Sequence, residues 1–125
     1  MGKSKLVYIA SPYAGDVETN VQFAKAACRY AIGQGATPVA AHLLYPQILS
    51  DGIQEEREAG IRMGLRLLEA CDELWLCGGH ITQGMQVELA TAESLELPVR
   101  RIRKIPKCIA ETLEPFIEFI QIPGI

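Results

Sequence analysis

Two kinds of hydrophobic run alternate along the chain. Short apolar-rich stretches, "KLVYIAS" (5–11), "ATPVAAH" (36–42), "DELWLCG" (72–78) and "LPVRRIR" (97–103), read as strands. The first lacks the polar alternation of a half-exposed strand and is expected to be covered on both faces. Between them, apolar residues recur at helical spacing over 16–35, 51–71 and about 82–95. A further helical pattern at 107–120 is interrupted by Pro115, and the apolar tail "FIQIPGI" follows it. Strand–helix alternation specifies a parallel sheet with helices on both faces. Right-handed crossovers then favour an α/β, flavodoxin-like (Rossmann-like) doubly wound sheet of four to five strands, in a single domain over 1–125. Every helix of such a sheet starts beside the C-terminal ends of the strands, the edge where ligands bind.

Helical wheels expose three polar residues on otherwise apolar faces. In the first helix Val21, Ala24, Cys28 and Ala31 form the stripe, with Asn20 among them. In the second, Ile53, Gly60, Gly64, Leu67 and Cys71 form it, with Arg57 on the same side, while Glu55, Glu58, Arg62, Arg66 and Glu69 face away. In the third, Met85, Leu89, Ala92 and Leu95 form the stripe and Glu88 falls inside it. A buried carboxylate costs several kcal/mol unless it has a partner or a task. Each of the three residues stands near its helix start, so together they can floor a polar pocket; an internal Arg57–Glu88 ion pair without chemistry is the alternative.

Loops at the same edge add candidates. In "SPYAG" (11–15), Ser11 and Gly15 leave backbone N–H groups free to face a ligand, and Tyr13 can stack on a base or sugar or simply pack in its loop. His42 is expected to end the second strand, with Tyr45 just after it. Gly78, Gly79 and Gly84 make the third loop thin enough for close approach to backbone.

Composition narrows the function. Hydrophobic residues are 49% and charged residues 22% of 125, ordinary for a globular protein, and a net charge of −3 gives no reason to expect a nucleic-acid polymer as partner. No apolar run approaches the roughly 20 residues of a membrane span, and "MGKSKLVYIASPY" does not read as a signal peptide. Four cysteines without CxxC spacing then read as reduced thiols in a cytoplasm. Cys77-x-x-His80 is half a metal site at best; read as a strand cysteine beside a loop histidine, it calls for no metal or cofactor. The apolar tail predicts a homo-oligomer.

"YIASPYAG", "CDELWLCGG" and "TQGMQVELATA" together resemble the nucleoside 2-deoxyribosyltransferase superfamily, which includes the 2′-deoxynucleoside 5′-phosphate N-hydrolases. The clearest match is Thr82-x-Gly84-x-x-x-Glu88-Leu89-Ala90-x-Ala92, and the resemblance spans roughly 6–100; "SPY", "AHLLYP" and "CDELW" look closer still to a bacterial and phage branch. It implies a small-molecule nucleoside or nucleotide as partner and Glu88 as a nucleophile that displaces the base from the anomeric carbon. Thr82, Gly79, Gly84 and Met85 would position the sugar, Arg57 a phosphate, and Tyr13 or His42 the base. The sequence departs from the superfamily at Gly64, eight positions before Asp72, where an aspartate is usual, and at Gln86, where a glycine is usual. Two functions follow: cleavage or transfer at an N-glycosidic bond through Glu88, or a binding module that holds a nucleotide-derived ligand without turnover. Glu88 favours the first and Gly64 the second.

Overall fold

The computed structural model describes residues 4–105. Its elements are β1 (Leu6–Ala10), α1 (Val17–Gly33), β2 (Thr37–Val39), α2 (Gln54–Glu69), β3 (Glu73–Cys77), α3 (Gln83–Ser94) and β4 (Val99–Ile102). The four strands are all parallel and stand in the order β2-β1-β3-β4, the expected flavodoxin-like arrangement. The helix expected over 107–120 and the apolar tail on which the homo-oligomer rests lie outside the described residues.

Alternation along β1 divides the core in two. Val7 and Ile9 face one side with Trp75, Cys77 and Ile102, where Ala27 and Ala31 of α1 cover them. Tyr8 and Ala10 face the other side with Leu74 and Leu76, beneath Leu68 of α2 and Met85 and Ala92 of α3. On the first face α1 presents alanines, Ala24, Ala27 and Ala31, and so lies close on the sheet. Its stripe is centred on them; Val21 and Cys28 are only half-buried.

Asp72 ties down the N-terminal edge of the sheet: its Oδ2 accepts the Leu6 N–H at 2.8 Å and its own N–H donates to the Leu6 carbonyl at 2.7 Å. β2 is shorter than its apolar run suggests. Pro38, paired with Val7, has no N–H to donate, which an edge strand tolerates, and the chain leaves the sheet after Val39. His42 therefore does not end a strand; it sits in a 3-10 turn, Ala41–Leu43, followed by a second, Tyr45–Gln47. Ile53 and Leu95, assigned to buried stripes by their periodicity, are 46% and 40% exposed. They are the N-cap of α2 and the C-cap of α3, where the helices have run past the sheet.

The alanine face of α1 leaves no room for longer side chains. Ala27→Leu is expected to cost about 1–3 kcal/mol in urea unfolding, whereas Gln22→Leu on the exposed face should change stability by less than about 0.5 kcal/mol.

Candidate active site

Helices α2 and α3 cover the same face of the sheet and α1 covers the other, so the connections after β1 and β3 part in opposite directions. A cavity of about 580 Å³ opens at this switch point, beside the C-terminal ends of the strands. Its floor is Tyr8 of β1, Gly64 of α2 and Glu88 of α3; Tyr13, His42 and Tyr45 form a wall; Asp51, Glu56 and Arg57 stand at the entrance to α2.

Glu88 is inward, as its wheel position requires, and 8% exposed. The Tyr8 hydroxyl donates to its Oε2 at 2.6 Å. Burial pushes the Glu88 carboxyl up to about 7, and the Tyr8 hydrogen bond pulls the other way by favouring the anion. Burial and the neighbouring carboxylate in turn hold the Tyr8 phenol above its ordinary range, so Tyr8 stays a donor. Gly64 packs against this contact. A Cβ there would lie 3.2 Å from the Tyr8 hydroxyl and 3.5 Å from Ala41 Cβ, so a side chain at 64 would crowd the phenol by a few tenths of an ångström.

The α3 start is fixed locally. Thr82 Oγ1 accepts the Met85 N–H at 3.2 Å, while Met85 Sδ lies 3.5 Å from the Thr82 N–H. This cap, with Met85 anchored in the core, sets the helical phase that turns Glu88, one turn on, toward the cavity.

On the wall, the rings of Tyr13 and His42 stack with centroids 5.0 Å apart and planes 28° from parallel. Burial holds His42 below the usual imidazole range, against the opposing influences of the Ser11 carbonyl and the Asp51 charge. Asn20 braces this loop from α1, its Nδ2 donating to the carbonyls of Tyr13 at 2.9 Å and Ala14 at 3.1 Å.

Seven of the candidates singled out from sequence line the cavity: Tyr13, His42, Tyr45, Arg57, Thr82, Gly84 and Glu88. Ser11, Gly15, Asn20, Gly79 and Met85 are not among its lining residues. Ser11 is buried with its Oγ unpartnered, and Gly15, at φ +99°, shapes the turn into α1 instead of facing the cavity. Arg57 differs most from expectation. Its side chain is 64% exposed and its Nε lies 3.8 Å from Asp51 Oδ1, so the partner of Glu88 is Tyr8 and not Arg57. The wheel had the right side of α2 but the wrong depth: the first turn of the helix overhangs the open cavity mouth. Sequence reading missed Tyr8, Asp51 and Glu56. Tyr8 carried a signal, because a tyrosine in a strand covered on both faces needs a partner for its hydroxyl.

No curated protein matches the chain. Among solved structures, the 2-deoxyribosyltransferase from the psychrotolerant bacterium Bacillus psychrosaccharolyticus superimposes with a TM-score of 0.64 at 18% identity, over 86% of this chain and 81% of that one. At that identity the likeness is one of fold. A family model described as "Domain of unknown function (DUF7768)" matches residues 5–102, and the chain belongs to that family.

Proposed function

We propose that the protein cleaves or transfers an N-glycosidic bond of a nucleoside or nucleotide, with Glu88 as the nucleophile. One observation carries the reading: a carboxylate, buried and shifted up to about 7, faces a ligand-sized cavity while a tyrosine holds one of its oxygens. The shared fold of the Bacillus 2-deoxyribosyltransferase supports the same class of chemistry.

In this reading Tyr8 occupies Oε2, which leaves Oε1 to attack the anomeric carbon. The C1′–N bond breaks as the C1′–O bond forms, through an oxocarbenium-like transition state, and the base departs from the opposite face. Water or a second base then attacks C1′ of the sugar ester and returns Glu88 as a carboxylate. Tyr8 keeps donating to the ester carbonyl throughout, so the nucleophile holds its orientation. The Tyr13–His42 stack offers the aromatic surface on which a base rests.

Replacement of Glu88 by Gln keeps the shape and should abolish base release, by several orders of magnitude in product assays on nucleosides and nucleotides, while ligand binding persists. The same variant reports on stability. Burial raises the folded-state pKa of Glu88 from 4.5 to about 7, so ionisation of this group opposes folding. That opposition is absent in acid, grows between about pH 4.5 and 7, and is constant above. Melting temperatures of wild type and Glu88→Gln are therefore expected to coincide in acid and to separate toward neutral pH, the variant gaining up to ~3 kcal/mol. A variant that melts far below wild type at neutral pH, together with a wild type that releases no base from any nucleoside or nucleotide, would count for a structural carboxylate or a binding module.

Tyr8→Phe removes the donor that favours the Glu88 anion. Base release by wild type should rise with pH through an inflection near 7, set by Glu88 ionisation, and Tyr8→Phe should move that inflection to higher pH. An unmoved inflection would show that the rate depends on some other group.

A further inference from the structure

The charges lining the cavity bear on what kind of base can leave. Asp51, Glu56 and Glu88 face a single guanidinium, Arg57, and Arg57 already has Asp51 beside it at 3.8 Å. The N-terminus of α2, which would otherwise attract an anion, is met by Glu55 and Glu56 in its first turn, and Glu56 Oε1 also accepts the Ser50 N–H at 2.8 Å. This mouth attracts cations.

The floor adds an independent constraint. A neutral nucleobase that departs takes the electron pair of the broken C1′–N bond and needs a proton from the enzyme. Tyr8 is engaged on Glu88, and in the displacement proposed above that puts it on the attacking side, opposite the leaving group. The α2 position facing the same space is Gly64, which carries no side chain to donate a proton. His42 stands in the wall, stacked on Tyr13, and burial disfavours its protonated form. Among the described residues, the one acid on the cavity floor beside the nucleophile is thus Tyr8, which is already engaged on it.

Resting on the N-glycosidic reading, we infer that the ligand class is the cationic N-glycosides, nucleosides whose glycosidic ring carries a formal positive charge, such as N-ribosyl pyridinium compounds or N7-alkylated purine nucleosides. For these the chemistry balances without an acid. The carboxylate of Glu88 forms its bond to C1′, the pair of the C1′–N bond neutralises the ring, and a neutral base leaves with no proton transferred. Water then attacks C1′, loses one proton to solvent, and frees the sugar and the Glu88 carboxylate. Asp51 and Glu56 stabilise the positive ring on entry, and the faces of Tyr13 and His42 lie where a cationic ring can stack.

Two matched pairs of probes test this: nicotinamide riboside against its reduced, uncharged form, and N7-methylguanosine against guanosine. Calorimetric titration of the full-length Glu88→Gln protein should show the charged member of at least one pair binding about tenfold tighter. Adding Asp51→Asn and Glu56→Gln should erase that difference. Wild type should release base from the charged member in preference. Preference within either pair sustains the inference, and the pair that shows it identifies the ring type. Equal binding and equal release within both pairs would overturn it while leaving the N-glycosidase reading intact. Charge-selective binding with no base released from any probe would do the opposite, keeping the ligand class and removing the chemistry.

Discussion

The site is organised around a single hydrogen bond between Tyr8, the middle residue of a central strand, and a carboxylate on the last described helix. Removing a carboxylate from water costs several kcal/mol, and a hydrogen bond to a charged group returns about 1.5–3. For Glu88 the balance is incomplete, which is why burial leaves its pKa raised to about 7 even with Tyr8 attached. The arrangement holds only because three elements agree. β1 must point Tyr8 toward α2 and α3, α2 must leave the phenol room, which a glycine at 64 does, and the cap at Thr82 must set the phase of α3. The tightly packed residues below, Val7, Ile9, Leu74 and Leu76, supply the stability that a half-compensated charge draws on.

Topology then decides where that charge meets solvent. Because β1 leads to a helix on one face and β3 to a helix on the other, the chain parts above the β1–β3 pair. A gap there cannot be closed by the sheet itself, so it is closed by loops, whose side chains carry the recognition. Tyr13 and His42 come from different loops yet stack, and Asn20 fixes the carbonyls beneath Tyr13. The wall is thus held by a ring stack and by hydrogen bonds from α1, whereas Asp51 and Arg57 at the mouth are mostly exposed.

What was legible in the sequence follows from which physics each pattern records. Period-2 and period-3.6 hydrophobicity report burial along an element, so the strand–helix order, the covered β1 and the inward Glu88 could all be read. A wheel has no axis along the helix. It placed Arg57 on the correct side of α2 but could not tell that the first turn stands clear of the sheet, and the same blindness put Ile53 and Leu95 in the core. Tyr8 was hidden for another reason: in a buried strand its ring counts as one more apolar residue, and only the question of where its hydroxyl is satisfied separates it from phenylalanine. Asp51 and Glu56 belong to a loop and a helix start, where charged residues are commonplace, and only the cavity gives them a shared direction.

Gly64 connects these observations. Read alone, a glycine where an acid is usual in the resembled superfamily points to lost chemistry. In three dimensions it packs against the Tyr8 phenol, whose hydroxyl stands 3.2 Å from where a Cβ at 64 would lie and donates to Glu88. A carboxylate at 64 would meet that hydroxyl and add a second negative charge close to the first, raising the Glu88 pKa further and reducing its ionised fraction at neutral pH. The floor therefore favours one carboxylate, oriented and partly ionised, over two that oppose each other. Protonation of the leaving group must then come from outside the described floor or be unnecessary, and the acidic mouth is the feature of this chain that favours a leaving group needing no proton.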